Sequence, residues 1–513
     1  MKYFAKNAFI ETYGHVLMLV GILLIALFLR TYHLHLYPPG LFPDEAMNGN
    51  NALEAIRTGS YKVFYPENNG REGLFINIQS LFLRLFAVRE PWVLRFPSTI
   101  FGTLTVLGIY LLARELFGAK VGLLAAFLLA TSFWHLVFSR IGFRAITAPF
   151  YATWGLWLLV VALRAHRFSS SLIRSLLAGL VLGLGFHSYI AYRIMPALAM
   201  LLFLFSWFDR REERGRSLSL LVPAGLFLLG FVVAVAPLLI HFIGAPQDFF
   251  SRTAQISIFT SPHPVRDLLH NAIKTGGMFH FAGDSNWRHN FGRRPQLLWP
   301  VGIFFLVGIG LAVWRFIAWL GRSRRADGGI GLERKTQEYV FCLIWLAVAA
   351  APVIISNEGI PHALRAILMI PPVFILSACG GSFLYETVLK KLHQKNIIRL
   401  WKAFAFCLLL VLFSRAFTLY FYRWGPHQIT RDSFNENYVK LGEQLLSQPS
   451  DVKKYVIVRA NGIDVRGLPI QTQTTMFITD TFLPEGQREK NIYYVKPEAA
   501  GTIPAGAQVF IIE

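Results

Sequence analysis

Gly14-His-Val-Leu-Met-Leu-Val-Gly-Ile-Leu-Leu-Ile-Ala-Leu-Phe-Leu-Arg30, followed by Tyr37-Pro-Pro-Gly-Leu-Phe-Pro-Asp-Glu-Ala46, decides how the rest of the chain is read. The first stretch carries no charged residue before Arg30 and, wound as a helix, is long enough to cross a hydrocarbon core about 30 Å thick. The second places two adjacent carboxylates, Asp44 and Glu45, where a chain leaving a membrane meets water. Only Lys2 and Lys6 precede the apolar run and no small-residue cleavage site follows it, so it reads as a retained span and not as a removed signal.

Working outward, the same pattern recurs along the 513 residues. Hydrophobic residues make up 54%, charged residues 15%, and mean hydropathy is +0.46. Such a composition excludes an ordinary soluble domain and predicts an integral membrane protein. A net charge of +21 would suggest nucleic acid in a soluble chain, but here lysine and arginine cluster in short loops between apolar runs. That is the positive-inside pattern, with membrane lipid and not nucleic acid as the partner. Cys342, Cys379 and Cys407 all fall inside apolar runs and show neither metal spacing nor a disulfide framework.

The charge rule sets a topology. Span 1 covers 14–30 with a cytoplasmic N-terminus, and 31–92 is then outside. Within that loop Asp44 opens a short helix reaching Arg57. Residues 73–88 are too short, and interrupted by Gln79 and Arg84, so they are laid along the interface as an amphipathic helix. Further spans are expected at 93–113, 120–138, 147–164, 172–188, 190–207, 218–242, 297–319, 338–356, 365–388 and 400–420. The loops at 164–167, 209–216, 322–335 and 390–395 fall inside, and the long loop 243–296 falls outside. The fold class is therefore an all-α polytopic membrane protein of about eleven helices, spanning 1–420. Residues 421–513 follow as a small extracytoplasmic α/β or β domain, with strand-like runs at 455–459, 476–479, 491–495 and 509–512.

With orientation set, the informative residues are cations on the side where the rule predicts few. Arg71, Arg95, Arg140, Arg144, Arg193, Arg288, Arg293, Arg294 and Arg365 all fall there. Arginine's planar fork suits bidentate binding of phosphate. A ring of them at the interface points to an anionic lipid head group, with Arg71, Arg95, Arg144, Arg193, Arg288 and Arg365 as the phosphate-binding set; an interfacial or ion-paired arginine is the plainer alternative for any one. A carboxylate beside a phosphate can take the proton of an attacking hydroxyl or hold a divalent cation; Asp44 would also serve as a simple helix cap. His280, Asp284, Trp287, His289 and Asn290 lie in one polar loop, and His362 precedes Arg365 in another; their residue types suit sugar contacts.

At these residues the chain resembles the GT-C superfamily, membrane glycosyltransferases that use polyprenyl-phosphate sugars. It is most similar to the branch of glycosyltransferase family 39 holding the protein O-mannosyltransferases and the aminoarabinose transferase of lipid A. The motifs are Pro43-Asp-Glu-Ala46, Gly70-Arg-Glu-Gly-Leu-Phe75, Leu94-Arg-Phe-Pro-Ser98, Leu112-Ala-Arg-Glu-Leu-Phe-Gly118, Gly283-Asp-Ser-Asn-Trp-Arg-His-Asn290 and Pro361-His-Ala-Leu-Arg365, spread over 10–420. Arg71-Glu-Gly73 stands where these relatives open the interfacial helix with a Pro-Pro pair. The resemblance implies Asp44 as catalytic base with Glu45 in support, and Arg95 in the donor or structural shell.

The expected function is thus an inverting hexosyl- or pentosyltransferase of the bacterial inner membrane. It would move a sugar from a polyprenyl-phosphate donor to a hydroxyl acceptor on the periplasmic side, the acceptor being protein, lipid or glycan. No cofactor is required and no metal site is assigned, although Asp44 leaves room for a divalent cation. The alternative is a polyprenyl-lipid translocator or binding protein without catalysis, or a scaffold of an envelope complex.

Overall fold

The computed structural model describes residues 2–165, 167–211, 219–249, 258–323 and 333–513. Most of the basic loops expected at 209–216 and 322–335 lies outside the described residues. The helices run in the order α1 (Lys2–Thr31), α2 (Pro43–Thr58), α3 (Leu74–Phe86), α4 (Pro91–Phe117), α5 (Ala119–Ala130), α6 (Phe133–Phe138), α7 (Thr147–Leu163), α8 (Phe168–Leu184), α9 (Met195–Arg211) and α10 (Leu221–Gly244). After these come α11 (Pro264–Gly277), α12 (Trp299–Ser323), α13 (Arg334–Ile354), α14 (Ile370–Lys391), α15 (Lys395–Thr418), α16 (Gln428–Ser433), α17 (Glu436–Ser447), α18 (Thr472–Thr479) and α19 (Pro484–Lys490). Among the described residues, 10 helices are long and apolar enough to cross a membrane.

Three expectations change. The span placed at 120–138 is not one helix: α5 ends at Ala130 and α6 starts at Phe133. Thr131 turns its hydroxyl back to the Phe127 carbonyl and Ser132 caps α6 by accepting from the His135 N–H. Both residues thus compete with the helical ladder at this point. The loop 243–296 is not irregular throughout, because it contains α11, whose Asn271 ties it to the carbonyls of Ile354 and Ser356. The run Met476–Thr479 is helical, not a strand, and belongs to α18.

Helix α3 is short and two-faced, as the sequence led one to expect. Its 13 residues reach only about 20 Å, short of a hydrocarbon core. Phe75, Ile76, Gln79 and Leu83 turn inward while Leu81 and Leu85 stay exposed.

Small residues set the closest helix contacts. A Cβ on Gly179 would stand 2.0 Å from the Phe227 carbonyl oxygen, and one on Gly230 would stand 2.4 Å from that of Leu176. The pairs Gly179/Gly183 on α8 and Gly230/Ala234 on α10 therefore let these two backbones touch, as small residues spaced by four do in membranes. Gly308 on α12 and Gly380 on α14 do the same.

Beyond α15 the chain passes through a π-helical turn, Leu419–Trp424, into α16 and α17. A three-stranded parallel sheet follows, with β3 (Lys454–Val458) between β6 (Ile492–Val495) and β7 (Gln508–Ile512). Two short hairpins complete the strands: β1 (Phe64–Tyr65) with β2 (Arg71–Glu72), and β4 (Asp464–Val465) with β5 (Leu468–Pro469). Helix α18 is buried between α17 and α2, and its Phe477 fits where Gly49 of α2 has no side chain. That all-round burial overrides the strand propensity of its Thr and Phe residues.

Candidate active site

Helix α2 is capped in an unexpected way. Phe42 is the N-cap residue, Pro43 opens the helix, and Glu45, not Asp44, reaches back to the Phe42 N–H at 3.3 Å. Asp44 is therefore no helix cap, and its carboxylate is left for other work.

The two acids point into different worlds. Glu45 is 0% exposed and meets the Arg95 guanidinium twice, at 2.9 and 3.1 Å, and the Gly142 N–H at 2.6 Å. Arg95, itself 1% exposed, also donates to the carbonyls of Pro38 and Gly40. This pair locks the Tyr37–Ala46 stretch onto α4, so Arg95 is committed to the loop rather than to a phosphate. Asp44, by contrast, is half-buried, accepts from Asn68 Nδ2 at 2.8 Å, and has no ion pair among the described residues.

Asp44 lines a cleft with Asn48, Asn68, Asn69, Arg71, Arg144 and Tyr189; its empty space, mouth included, is about 530 Å³. The hairpin β1–β2 supplies half of these groups. Its turn residues Asn68, Asn69 and Gly70 have φ of 54°, 63° and 79°, left-handed values that Asn and Gly tolerate. At Gly70 the Phe64 ring also leaves no room for a Cβ. The turn delivers Arg71 into the cleft, where Asn48 (2.6 Å) and Asn51 accept from its guanidinium. Burial and the neighbouring Arg144 pull the Arg71 pKa down to about 10, against the opposing pull of Asp44. Arg144 pairs with Glu72 at 2.6 Å and lies over Tyr189.

Arg288 approaches Asp44 from the loop 280–295. It stacks on the Phe42 ring at 3.6 Å, and its positive charge acts on Asp44, Glu45 and Asp284. Burial lowers its pKa against those acids. The remaining arginines of the expected set are spent elsewhere. Arg193 donates to the Phe249 carbonyl and lies over the rings of Phe249 and Phe242. Arg365 donates to Ser356 and to the Glu358 carbonyl.

The other expected contacts gather around Asp284. Its carboxylate accepts from the backbone N–H groups of Asn286 and Ala363, both at 2.8 Å, and meets His289 Nδ1 at 3.1 Å, while His362 Nδ1 stands 4.0 Å away. Burial opposes ionisation of Asp284, but the His289 hydrogen bond and the surrounding donors outweigh it and hold its carboxyl below the usual range. Burial pushes His289 down and His362 well down, keeping both imidazoles neutral. One ligand atom from each of Asp284, His289 and His362 lies within 4.8 Å of the others, a set with the donor chemistry of a zinc site. Asn290 closes the loop by donating to the carbonyls of Asp284 and Arg294. Trp287 accepts from Trp424 Nε1 through its carbonyl, and His280 bonds the Gly302 carbonyl beside Phe305. These three build the loop and its seat more than they line the cleft.

Sequence reading missed Asn48, Asn51, Asn68, Asn69 and Tyr189. A signal existed for the first two: Asn48-Gly-Asn-Asn51 is a poor helix-forming run inside a helix, which argues for a reason other than propensity. Tyr189 arrives from the turn between α8 and α9 with no local pattern to mark it.

Comparison with known proteins fits this geometry. Residues 74–241 match the family model described as dolichyl-phosphate-mannose-protein mannosyltransferase. No curated protein matches the chain. Among solved structures, ArnT from Cupriavidus metallidurans in the apo state is similar at TM-score 0.55 and 14% identity, over 98% of this chain and 90% of that one. The same protein bound to undecaprenyl phosphate gives 0.52 and 14%, over 97% and 90%. The oligosaccharyltransferase AglB from Archaeoglobus fulgidus, solved with an inhibitory peptide and a dolichol-phosphate, gives 0.54 and 15%, over 94% of this chain. The present chain spans 64% of the length of that protein. The archaeal enzyme has also been solved in complex with Zn and sulfate, at 0.51 and 17%, over 94% and 62%. Residues 74–241 are thus similar to the dolichyl-phosphate-mannose-protein mannosyltransferases, and the chain shares its fold with ArnT and the archaeal oligosaccharyltransferase.

Proposed function

We propose that the chain is an inverting glycosyltransferase that moves a sugar from a polyprenyl phosphate to a hydroxyl acceptor, at the extracytoplasmic end of the bundle. The observation that carries this reading is the position of Asp44. It is an acid without an ion pair among the described residues, in a cleft whose other charged walls are Arg71 and Arg144, with the charge of Arg288 acting on it. The relatives solved with undecaprenyl phosphate and dolichol-phosphate support the donor class.

In this mechanism the acceptor hydroxyl hydrogen-bonds the free oxygen of Asp44. Its oxygen attacks the anomeric carbon as the bond from that carbon to the phosphate oxygen breaks. The proton passes to Asp44 and the bonding electrons leave with the phosphate. Arg71, Arg144 and Arg288 oppose the charge that grows on the leaving group, a role in which fixed cations act strongly because the site is largely desolvated. Asn68 orients the carboxylate, and Glu45 with Arg95 fixes the loop that bears it. Where a divalent cation binds, the donor set of Asp284, His289 and His362 fits it better than Asp44 does, and the zinc complex of the archaeal relative is in keeping with that. Such an ion would brace the loop that holds Arg288.

The test is transfer from a panel of labelled undecaprenyl-phosphate sugars by the protein in proteoliposomes. Asp44→Asn keeps the shape and removes the base, so turnover should fall by about 10²- to 10⁴-fold. Undiminished turnover would overturn the role given to Asp44.

A further inference from the structure

A second crevice opens on another side of the bundle, beside α15. Leu128, Phe133, Phe374, Leu412 and Leu419 form its apolar walls, and Gln296 and Arg294 stand among its lining. Its empty space, mouth included, is about 840 Å³. It shares no lining residue with the Asp44 cleft. Helix α15 lies at the periphery, with 6% of its apolar window buried, so in a membrane the crevice faces lipid.

Two features of this crevice are unexplained by the protein alone. Gln296 is 6% exposed, yet neither its side-chain Nε2 nor its Oε1 has a hydrogen-bond partner. A buried amide left so costs on the order of 1–3 kcal/mol for each unmet group. The second is a gathering of cations. Arg294 lies near enough to Arg415 and Arg423 that, after its own partial burial, their charges lower its pKa. None of the three has an ion pair among the described residues, and Arg294 has only the Phe291 ring beneath it. Leu412, Arg415 and Leu419 fall on one face of α15 and its π-helical extension by their spacing of three and four. Arg294 lines the crevice itself, while Arg415 and Arg423 stand outside its lining, close enough for their charges to act on Arg294. The chain is irregular on both flanks, at the Thr131–Ser132 break and at the π-helical turn, and such turns recur at functional sites.

We propose that this crevice is a lipid site separate from the Asp44 cleft, occupied by an anionic phospholipid of the surrounding leaflet whose head group bears hydroxyls. Its phosphodiester sits under Arg294 and Arg415, with Arg423 at the rim, and its chains run down the leucine and phenylalanine wall. Gln296 donates to a phosphate or ester oxygen and accepts from a head-group hydroxyl, which meets both of its open positions. A phosphocholine head supplies no hydroxyl and adds a positive charge beside three arginines.

The experiment is native mass spectrometry of the full chain released from nanodiscs of phosphatidylglycerol, phosphatidylcholine, or phosphatidylcholine doped with undecaprenyl phosphate. The wild type should retain one phosphatidylglycerol and no phosphatidylcholine. Arg294→Ala with Arg415→Ala should weaken retention about 30-fold, from about 1 kcal/mol for each surface cation, and Gln296→Leu should weaken it several-fold. If the double variant does not fold, Arg423→Gln on the exposed rim should weaken retention about fivefold on the same basis. Equal retention of both phospholipids, or of phosphatidylglycerol by wild type and variants alike, would overturn the site. Tighter binding of undecaprenyl phosphate than of phosphatidylglycerol would overturn the assignment of its occupant.

Discussion

The Asp44 cleft and the loop 280–295 look alike as strings of residues, each a polar segment mixing acids, arginines and ring side chains. In three dimensions they differ in how their polar groups are spent. The loop spends its acid and its amide on itself: Asp284 accepts two backbone N–H groups and meets an imidazole, and Asn290 staples two carbonyls. The cleft keeps an oxygen of Asp44 open while its neighbour Glu45 is saturated. Reaction chemistry needs the unspent group, whereas a saturated one holds shape. Hydrogen-bond accounting, not residue type, separates the two.

That contrast can be broken experimentally. The largest effect belongs to Asp44→Asn, which should lose about 10²- to 10⁴-fold in turnover while its unfolding midpoint in detergent stays near that of the wild type. Glu45→Ala should do the reverse. It strands a buried Arg95, which costs about 3–5 kcal/mol, so the yield of folded protein by size-exclusion chromatography should collapse. A well-folded Glu45→Ala with intact Arg95 would contradict the structural role assigned to the pair.

Asp284→Ala comes next. It leaves two buried N–H groups and an imidazole without their acceptor, at about 1–3 kcal/mol, and should lower the melting temperature without a matching change in turnover per folded molecule. The same cluster predicts a pH dependence, measured with chelator present. The lowered pKa values of His289 and His362 mean that the unfolded chain takes up protons first as the medium is acidified. Their contribution is therefore complete above about pH 6.5 and is lost as pH falls below it; Asp284, held low, adds a loss only below about pH 4. Replacing both histidines by asparagine should flatten the stability profile between pH 7 and 5, and an unchanged profile would remove them as its source. The smallest effect is that of Asn68→Ala, which frees Asp44 from one hydrogen bond worth about 1 kcal/mol and should lower turnover severalfold.

The tail shows why the site needs more than its own residues. Asn50 donates to Gln473, Arg466 bridges Glu54 and Glu67, Thr474 donates to the Leu41 carbonyl, and Asp480 takes both Arg57 and Arg89. Residues beyond 460 thus grip helix α2 along its length. The strand pattern of the tail foretold β3, β6 and β7, yet it misread α18, a helix packed between α2 and α17.

What the sequence determined by itself was everything that depends on runs and sums: the membrane class, ten of the spans to within a turn or two at their ends, and the short amphipathic helix after the acidic loop. Hydrophobic length and periodicity are local, and a bilayer about 30 Å thick reads them directly. Tertiary structure alone decided that Asp44 is open and Glu45 closed, and that Arg95 serves the loop while Arg71 and Arg144 face the cleft. The polar outcomes depend on which partner arrives from elsewhere in the chain, Gly142 at Glu45, Asn68 at Asp44 or Ala363 at Asp284. A buried polar group is fixed by the one geometry in which all of its hydrogen bonds are met, and that geometry exists only once the chain has folded.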